Sequence, residues 1–444
     1  MKCATCRELL TAYLKDELDE AKRVQVEEHL AQCAECAREA EGARKVLVIV
    51  DRASEPSVVA LAKEIIQSAI EAHASDIHIQ RLSESLAVRY RVDGVLHDVR
   101  QLDRALREPV VDCIKQMSDM SVTEKRVPQD GRIHVRHQDK NFDIRVSTMP
   151  SVLGEVVAMR ILDQLSVPMS LDTIGMREEV REKLLSLVQQ PCGLFLVTGP
   201  AGSGRTTTLY SILAALQKRE LHIMSVEDPV EYRFDGVTQV HVNRKAGLTY
   251  ATALRYFLRQ DPDIIICGEL PDLETANMAV HSALTGHLVL STIYTNDSVG
   301  AIRRLVDMGM ERFALGASLT GVLAQRLVRR ICNDCRQEQA LSETEGRWLR
   351  TAGLEAVPQK LWAGVGCDNC KGTGHRGRTA LHELFAVDEE TRAMLSDGTD
   401  LRDIERAAAS KLQPMRYDAA LKVVAGDTTA QEAMRVLAFM PKYE

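Results

Sequence analysis

"GPAGSGRTTTLYS", residues 199–211, decides how the rest of the chain is read. Gly199, Gly204 and Thr206 fall in register with G-x-x-x-x-G-K-[ST], the loop that wraps phosphates in backbone N–H groups. The apolar run Phe195–Thr198 precedes it, and "TTTLYSILAAL", a helix-forming run, follows. A strand that feeds a glycine-rich turn into a helix N-terminus is the context the motif needs, because free N–H groups and the helix dipole then face one anion. The residues expected to cradle a phosphate are Gly199, Pro200, Ala201, Gly202, Ser203, Gly204, Arg205, Thr206 and Thr207, with Thr206 ligating Mg2+. One slot is unusual. Arg205 stands where the pattern has lysine, which keeps the charge and changes the shape of the head.

The same grammar continues downstream. "LFLVT", "HIMSV", "DIIICG" and "LVLST" are short, solidly apolar runs of the kind that form a buried parallel sheet. Polar residues gather where each run ends: Thr206, the pair Glu227 and Asp228, Glu269, and Thr292. Open α/β sheets collect their ligands at the carboxyl ends of strands, so one site is expected to receive all of them. There Glu269 would orient an attacking water, and Glu227 or Asp228 would assist it or hold the metal. The chemistry these residues favour is nucleotide hydrolysis.

At 444 residues the chain suggests two or three domains, and a hydrophobic content of 45% supplies real cores. A net charge of −7 argues against nucleic acid as the main partner. No run of 18 apolar residues occurs, and "MKCATCRELL" lacks the apolar centre of a signal peptide. The expectation is a soluble, cytoplasmic protein.

Residues 1–45 read as a small helical unit in which Val24, Val26, Leu30 and Ala31 lie near one helix face. A linker from 41 to 56 leads to the helix "SVVALAKEIIQSAIEAH" and then to alternating strands joined at one point by a tight Asp93-Gly94 turn. That α+β pattern fills residues 57–163, with Arg145 and Arg160 on the faces opposite Val146 and Ile161. A second linker is expected over 164–176. The α/β nucleotide core follows over 177–330, a cysteine element over 331–380 and a helical region over 381–444.

Eight of the eleven cysteines form four C-x-x-C pairs, and in a reducing compartment that spacing reads as metal ligation. Cys332, Cys335, Cys367 and Cys370 make a four-cysteine zinc set that would lock a loop lacking its own core. "CDNCKGTG" also resembles the C-x-x-C-x-G-x-G unit of chaperone zinc domains, which need several copies where this chain has one. Near the start, His29 and Cys33 are one helical turn apart with Cys36 just beyond, and Cys3 or Cys6 would complete a tetrahedron. The remaining three, Cys113, Cys192 and Cys267, read as small buried hydrophobes.

Taken in order, "ASDIHI", "VRYRVDGVL", "PQDGRI", "DIRVSTMPSVLGEVVAMRIL", "GPAGSGRTTTLY", "VEDPVEY", "LRQDPDIIICGE", "ALTGHLVLST" and "AQRLVRRICNDC" resemble the ATPases of type II secretion and type IV pilus assembly, over about residues 57–440. The resemblance implies a RecA-like P-loop domain joined flexibly to a smaller α/β domain, assembled as a hexamer that drives an inner-membrane platform. It implies phosphate-reaching arginines at Arg145 and Arg160, an acidic segment at Glu227 and Asp228, a general-base glutamate at Glu269 and a histidine-box residue at His287. The implied cofactors are ATP, Mg2+ and Zn2+. Three positions depart: Arg205 for the loop lysine, Pro271 for the arginine of "GEIRD", and Tyr294 for the second histidine of "TLHTN". Pro271 is expected in the first turn of the helix that follows it. Three readings stay open: a slow ATPase, a degenerate nucleotide-binding paralogue that acts as scaffold or regulator, and a redox-linked transcriptional regulator in which the N-terminal zinc unit dominates.

"CATCRELLTAYLKDELDEAKRVQVEEHLAQCAEC" resembles the zinc-binding domain of anti-sigma factors. That resemblance implies Cys3, His29, Cys33 and Cys36 as the ligands, leaves Cys6 spare, and implies a protein partner for the unit.

Overall fold

The computed structural model describes residues 3, 20–33, 36, 58–138, 140–163, 170–217 and 220–438. The chain divides into two compact units, Met1–Leu165 and Ser166–Glu444.

In the first unit a short helix, Glu20–Gln32, buries Val26 and leaves Leu30 half-buried. The side chains of Val24 and Ala31 lie outside the described residues, as does Cys6. From residue 58 the unit is a six-stranded antiparallel sheet with two helices packed on it. The strands are β1 (Asp76–Arg81), β2 (Ser85–Val92), β3 (Val95–Asp103), β4 (Gln129–His137), β5 (Lys140–Ser151) and β6 (Gly154–Asp163), in the order β3-β2-β1-β6-β5-β4. Asp93 and Gly94, with φ of 47° and 81°, form the hairpin turn between β2 and β3 that their sequence predicts. The helix Val58–Glu71 turns Leu61, Ala62, Ile65, Ile66, Ala69 and Ile70 inward. This 3.6-residue stripe meets the period-2 stripe Ile77, Ile79, Val88, Tyr90, Ile144, Val146 and Met159. Beside this core, Lys115 is fully buried and donates to Glu155 at 2.7 Å and to the Glu124 carbonyl at 2.6 Å.

The second unit is built on a seven-stranded sheet. Its strands are β7 (Gly193–Thr198), β8 (Ile223–Glu227), β9 (Val237–His241), β10 (Ile264–Cys267), β11 (Leu288–Ile293), β12 (Leu319–Ile331) and, after a small hairpin of β13 (Arg336–Ala340) and β14 (Lys360–Gly364), β15 (His375–Ala386). The order is β15-β12-β7-β11-β10-β8-β9. Every residue of β7, β8, β10 and β11 is buried, which is why these runs read as unbroken apolar stretches. These four strands run parallel, and β12 joins parallel to β7 while pairing antiparallel with β15.

Some expectations need correction. Within the linker expected over 164–176, residues 164–169 lie outside the described set, but Leu171 and Met176 are buried against the second unit's core. The cysteine element returns into the main sheet through β15, because β12 offers thirteen residues of unpaired edge that need a partner. Cys267 is buried as expected, whereas Cys113 is half-buried and Cys192, at the turn before β7, is exposed. Pro271 precedes the helix Leu273–Leu284 and lies outside its first turn. Asp272 is the N-cap, its carboxylate accepting from the Thr275 N–H at 2.8 Å.

Candidate functional site

The loop after β7 is shaped by three glycines with positive φ, Gly199 at 149°, Gly202 at 73° and Gly204 at 87°, of which the first and last are also crowded. A Cβ on Gly199 would lie 2.4 Å from the Gln325 carbonyl oxygen, and one on Gly204 would lie 2.9 Å from the Gln325 amide nitrogen. Only glycine fits at either place. Gln325, buried on β12, holds the loop by donating to the Ser203 carbonyl at 2.6 Å while its oxygen accepts from Thr208 at 2.6 Å. The helix Arg205–Leu216 starts directly from Gly204, so its first N–H groups face the turn.

The end of β11 is tied to the last residue before this loop, and the end of β10 is tied to β11. Thr198 donates to the Ile293 carbonyl at 2.9 Å and shares a 2.6 Å hydroxyl contact with Thr295, whose N–H donates back at 2.9 Å. Thr292 donates to the Gly268 carbonyl at 2.8 Å, and the Leu270 N–H reaches the Thr292 carbonyl at 3.0 Å. Glu269 is thereby held half-buried at the end of β10. Its negative charge is felt on two sides. Burial pushes the Arg205 guanidinium down, opposed by Tyr294 and Glu269, and burial followed by Glu269 pushes the Tyr250 hydroxyl up.

Glu227 is a different kind of carboxylate. It is buried at the end of β8 and accepts from Tyr210, from Ser225 at 2.7 Å and from Gln239 at 3.2 Å. Asp228, more exposed, faces Arg244 at 3.5 Å. His287 sits elsewhere. It immediately precedes β11, and its carbonyl accepts from Gly193 at the start of β7, the end of the sheet opposite Gly199. Its ring approaches the Ser282 carbonyl at 2.9 Å. Within this unit the length of β11 separates His287 from the loop. Tyr294, at the far end of the same strand, is the residue that reaches the loop.

In the first unit, strand register assembles a charged row that sequence reading missed. Across β4, β5, β6, β1 and β2, Arg132 pairs with Arg145, Arg145 with Arg160, Arg160 with Asp76, and Asp76 with Arg91. Directly paired residues share a face, so four arginines and one aspartate line up on the side away from the helices. Asp76 binds Arg160 at 2.9 Å and Arg91 at 3.8 Å. On the same face, burial pushes His78 below the usual imidazole range, with Arg91 and Arg160 adding to the effect and Asp76 opposing it. Only the Arg145 and Arg160 members were legible from the motif.

Two groups of side chains that could hold a metal ion stand among the described residues. In Cys332, Cys335, Cys367 and Cys370, and again in Cys3, His29, Cys33 and Cys36, all ligand atoms lie within 4.8 Å of one another. A tetrahedral zinc with Zn–S bonds of about 2.3 Å separates its sulfurs by about 3.8 Å. Cys332 to Cys367 and Cys335 to Cys370 are each 3.8 Å, Cys367 to Cys370 is 3.7 Å and Cys3 to Cys33 is 3.9 Å. Both donor sets fit such an ion.

A family model described as type II/IV secretion system protein matches residues 51–435. The chain belongs to this family. A zinc-finger family model matches residues 3–37, around the N-terminal ligand set. The chain is 43% identical over 430 residues to type II secretion system protein E of Aeromonas hydrophila, covering 97% of this chain and 85% of that one. To the type II secretion system protein HxcR of Pseudomonas aeruginosa it is 46% identical over 393 residues, covering 88% and 80%. Among solved structures, the pilus retraction motor PilT with bound ADP superposes with a TM-score of 0.58 at 27% identity, covering 84% of this chain and 95% of that one. The ATPase DotB of Legionella pneumophila gives a TM-score of 0.63 at 21% identity, covering 85% and 95%, and shows the shared fold. This family member therefore has the α/β, RecA-like architecture expected from its sequence. No helix among its described residues is long and apolar enough to cross a membrane.

Proposed function

We propose that this chain is an ATP-hydrolysing motor that works as a hexamer on an inner-membrane platform, powering type II secretion or type IV pilus assembly. The observation that carries the reading is that the Gly199–Thr206 loop after β7 and Glu269 after β10 come to the same end of the sheet with β11 between them, in a chain so similar to type II secretion system proteins. The loop's N–H groups and Arg205 hold phosphate, Thr206 holds Mg2+, and Glu269 orients the attacking water. Mg2+, when held by Thr206, would supply charge neutralisation beside the phosphates. Arg145 and Arg160 are the arginines that complete the charge once the smaller domain closes. Glu227, with three donors already on it, shapes the floor of the site.

Arg205 makes the motor slow. Its planar head has diverging donors where a lysine has a compact ammonium, and one displaced donor lowers a rate by on the order of 10²-fold. The scaffold reading draws on the same residue, since Arg205 is bonded to its own loop. Both clusters bind zinc in this reading, and the N-terminal one docks a protein partner.

Calorimetric titration of the purified chain with MgATP tests the site. Thr206→Val should weaken MgATP by roughly tenfold, the size of one lost charge-assisted contact, and should affect metal-free ATP little. Equal binding of MgATP by both proteins would remove Thr206 and the loop from the account.

A further inference from the structure

Arg205 and Tyr294, far apart in the sequence, are partners. The guanidinium carbon of Arg205 lies 4.0 Å from the centre of the Tyr294 ring. The same head donates to the carbonyls of Gly199 and Pro200, the latter at 2.6 Å. A phosphate is held by the N–H groups of such a loop, so a cation seated on its carbonyls is turned to the other side of the peptide planes. Among the described residues, the buried Nε of Arg205 has no hydrogen-bond partner. The head is held, yet not satisfied.

Tyr294 is held as well. Its neighbour Thr295 is bonded through both its N–H and its hydroxyl to Thr198, the last residue before the loop. The ring itself is 54% exposed, so it is not placed there to fill a core. A guanidinium drawn partly out of water against an aromatic face is where cation–π attraction is strongest.

We propose that Tyr294 is a positioning residue that parks the Arg205 guanidinium on the loop's own carbonyls, so that a nucleotide triphosphate must draw it off the ring to be fully bound. The proposal rests on the reading that this loop binds nucleotide, and it adds a control on loading. The stack stabilises the empty loop only. Whatever it contributes there is subtracted from the affinity for phosphate, and removing the ring should therefore tighten binding.

The test is titration of a fluorescent ATP analogue, with Mg2+, into the full chain carrying Tyr294→Leu, Tyr294→Phe, Arg205→Met or the Arg205→Met/Tyr294→Leu pair. Tyr294→Leu should tighten binding about fivefold, the scale of a partly desolvated cation–π contact. Tyr294→Phe keeps the ring face and should stay within about twofold of wild type. In the Arg205→Met background the leucine change should have no effect, since the cation it acts through is gone. Unchanged or weaker binding by Tyr294→Leu, or the same tightening in the Arg205→Met background, would overturn the parking role while leaving the nucleotide site standing. Failure of wild type and every variant to bind the analogue would remove the nucleotide-site reading itself, and the parking role with it.

Discussion

The amide of Gln325 donates to the carbonyl of Ser203 at 2.6 Å, joining β12 to the middle of the phosphate loop. Because the other end of the same side chain accepts from Thr208 at 2.6 Å, one buried residue fixes both the turn and the first coil of the helix after it. Gln325→Ala leaves a buried carbonyl and hydroxyl without partners, a cost of about 1–3 kcal/mol. We expect lower thermal stability together with roughly tenfold weaker MgATP binding, since the loop must then be ordered by its ligand. Melting and calorimetric titration of the variant read both effects.

Arg145→Ala should divide turnover from affinity. An arginine brought onto the phosphates only when the domains close acts in the transition state, so turnover should fall at least roughly tenfold while MgATP affinity changes much less. Parallel losses would mark Arg145 as a ground-state binding residue and count against closure.

Acid should weaken the second unit through Glu432. Burial acts to raise its pKa, but hydrogen bonds from Arg435 and Arg329 prevail and hold it at about 2. An unfolded glutamate titrates near ~4.3, so as pH falls the unfolded chain takes up its proton first. The stability contributed is complete above that value and is lost between it and about 2. Glu432→Gln should lower stability at pH 7 and flatten part of the acid limb, as measured by denaturant unfolding across that range.

Metal analysis of protein purified without chelator should give about two zinc ions per chain, one for each donor set. Deleting residues 1–45 should leave about one, with ATP hydrolysis within a factor of about two, because residues 1–45 carry no phosphate-binding pattern. A full chain holding one zinc ion, with the same content after the deletion, would remove the N-terminal site.

What the sequence disclosed follows from how local each signal is. β7, β10 and β11 were readable because burial on both faces makes every residue apolar, and Gly199–Thr206 because its chemistry sits in one short stretch. The Asp93-Gly94 turn was readable for the same reason. The arginine row was not, since Asp76, Arg91, Arg132, Arg145 and Arg160 come together only through pairing register. Gln325 sits in a run ending in arginines, "AQRLVRRI", that gives no hint of a strand beside the loop. His287 and Tyr294 flank one strand, which places them at opposite ends of the sheet, a separation their closeness in sequence hides.

The most direct test of the account is steady-state ATP hydrolysis by wild type, Arg205→Lys and Glu269→Gln, with MgATP binding measured on the same preparations. The account predicts slow but real turnover by wild type, a rise of at least roughly tenfold for Arg205→Lys, and loss of turnover with binding retained for Glu269→Gln. Turnover by Glu269→Gln equal to wild type, or none by either wild type or Arg205→Lys, would contradict it.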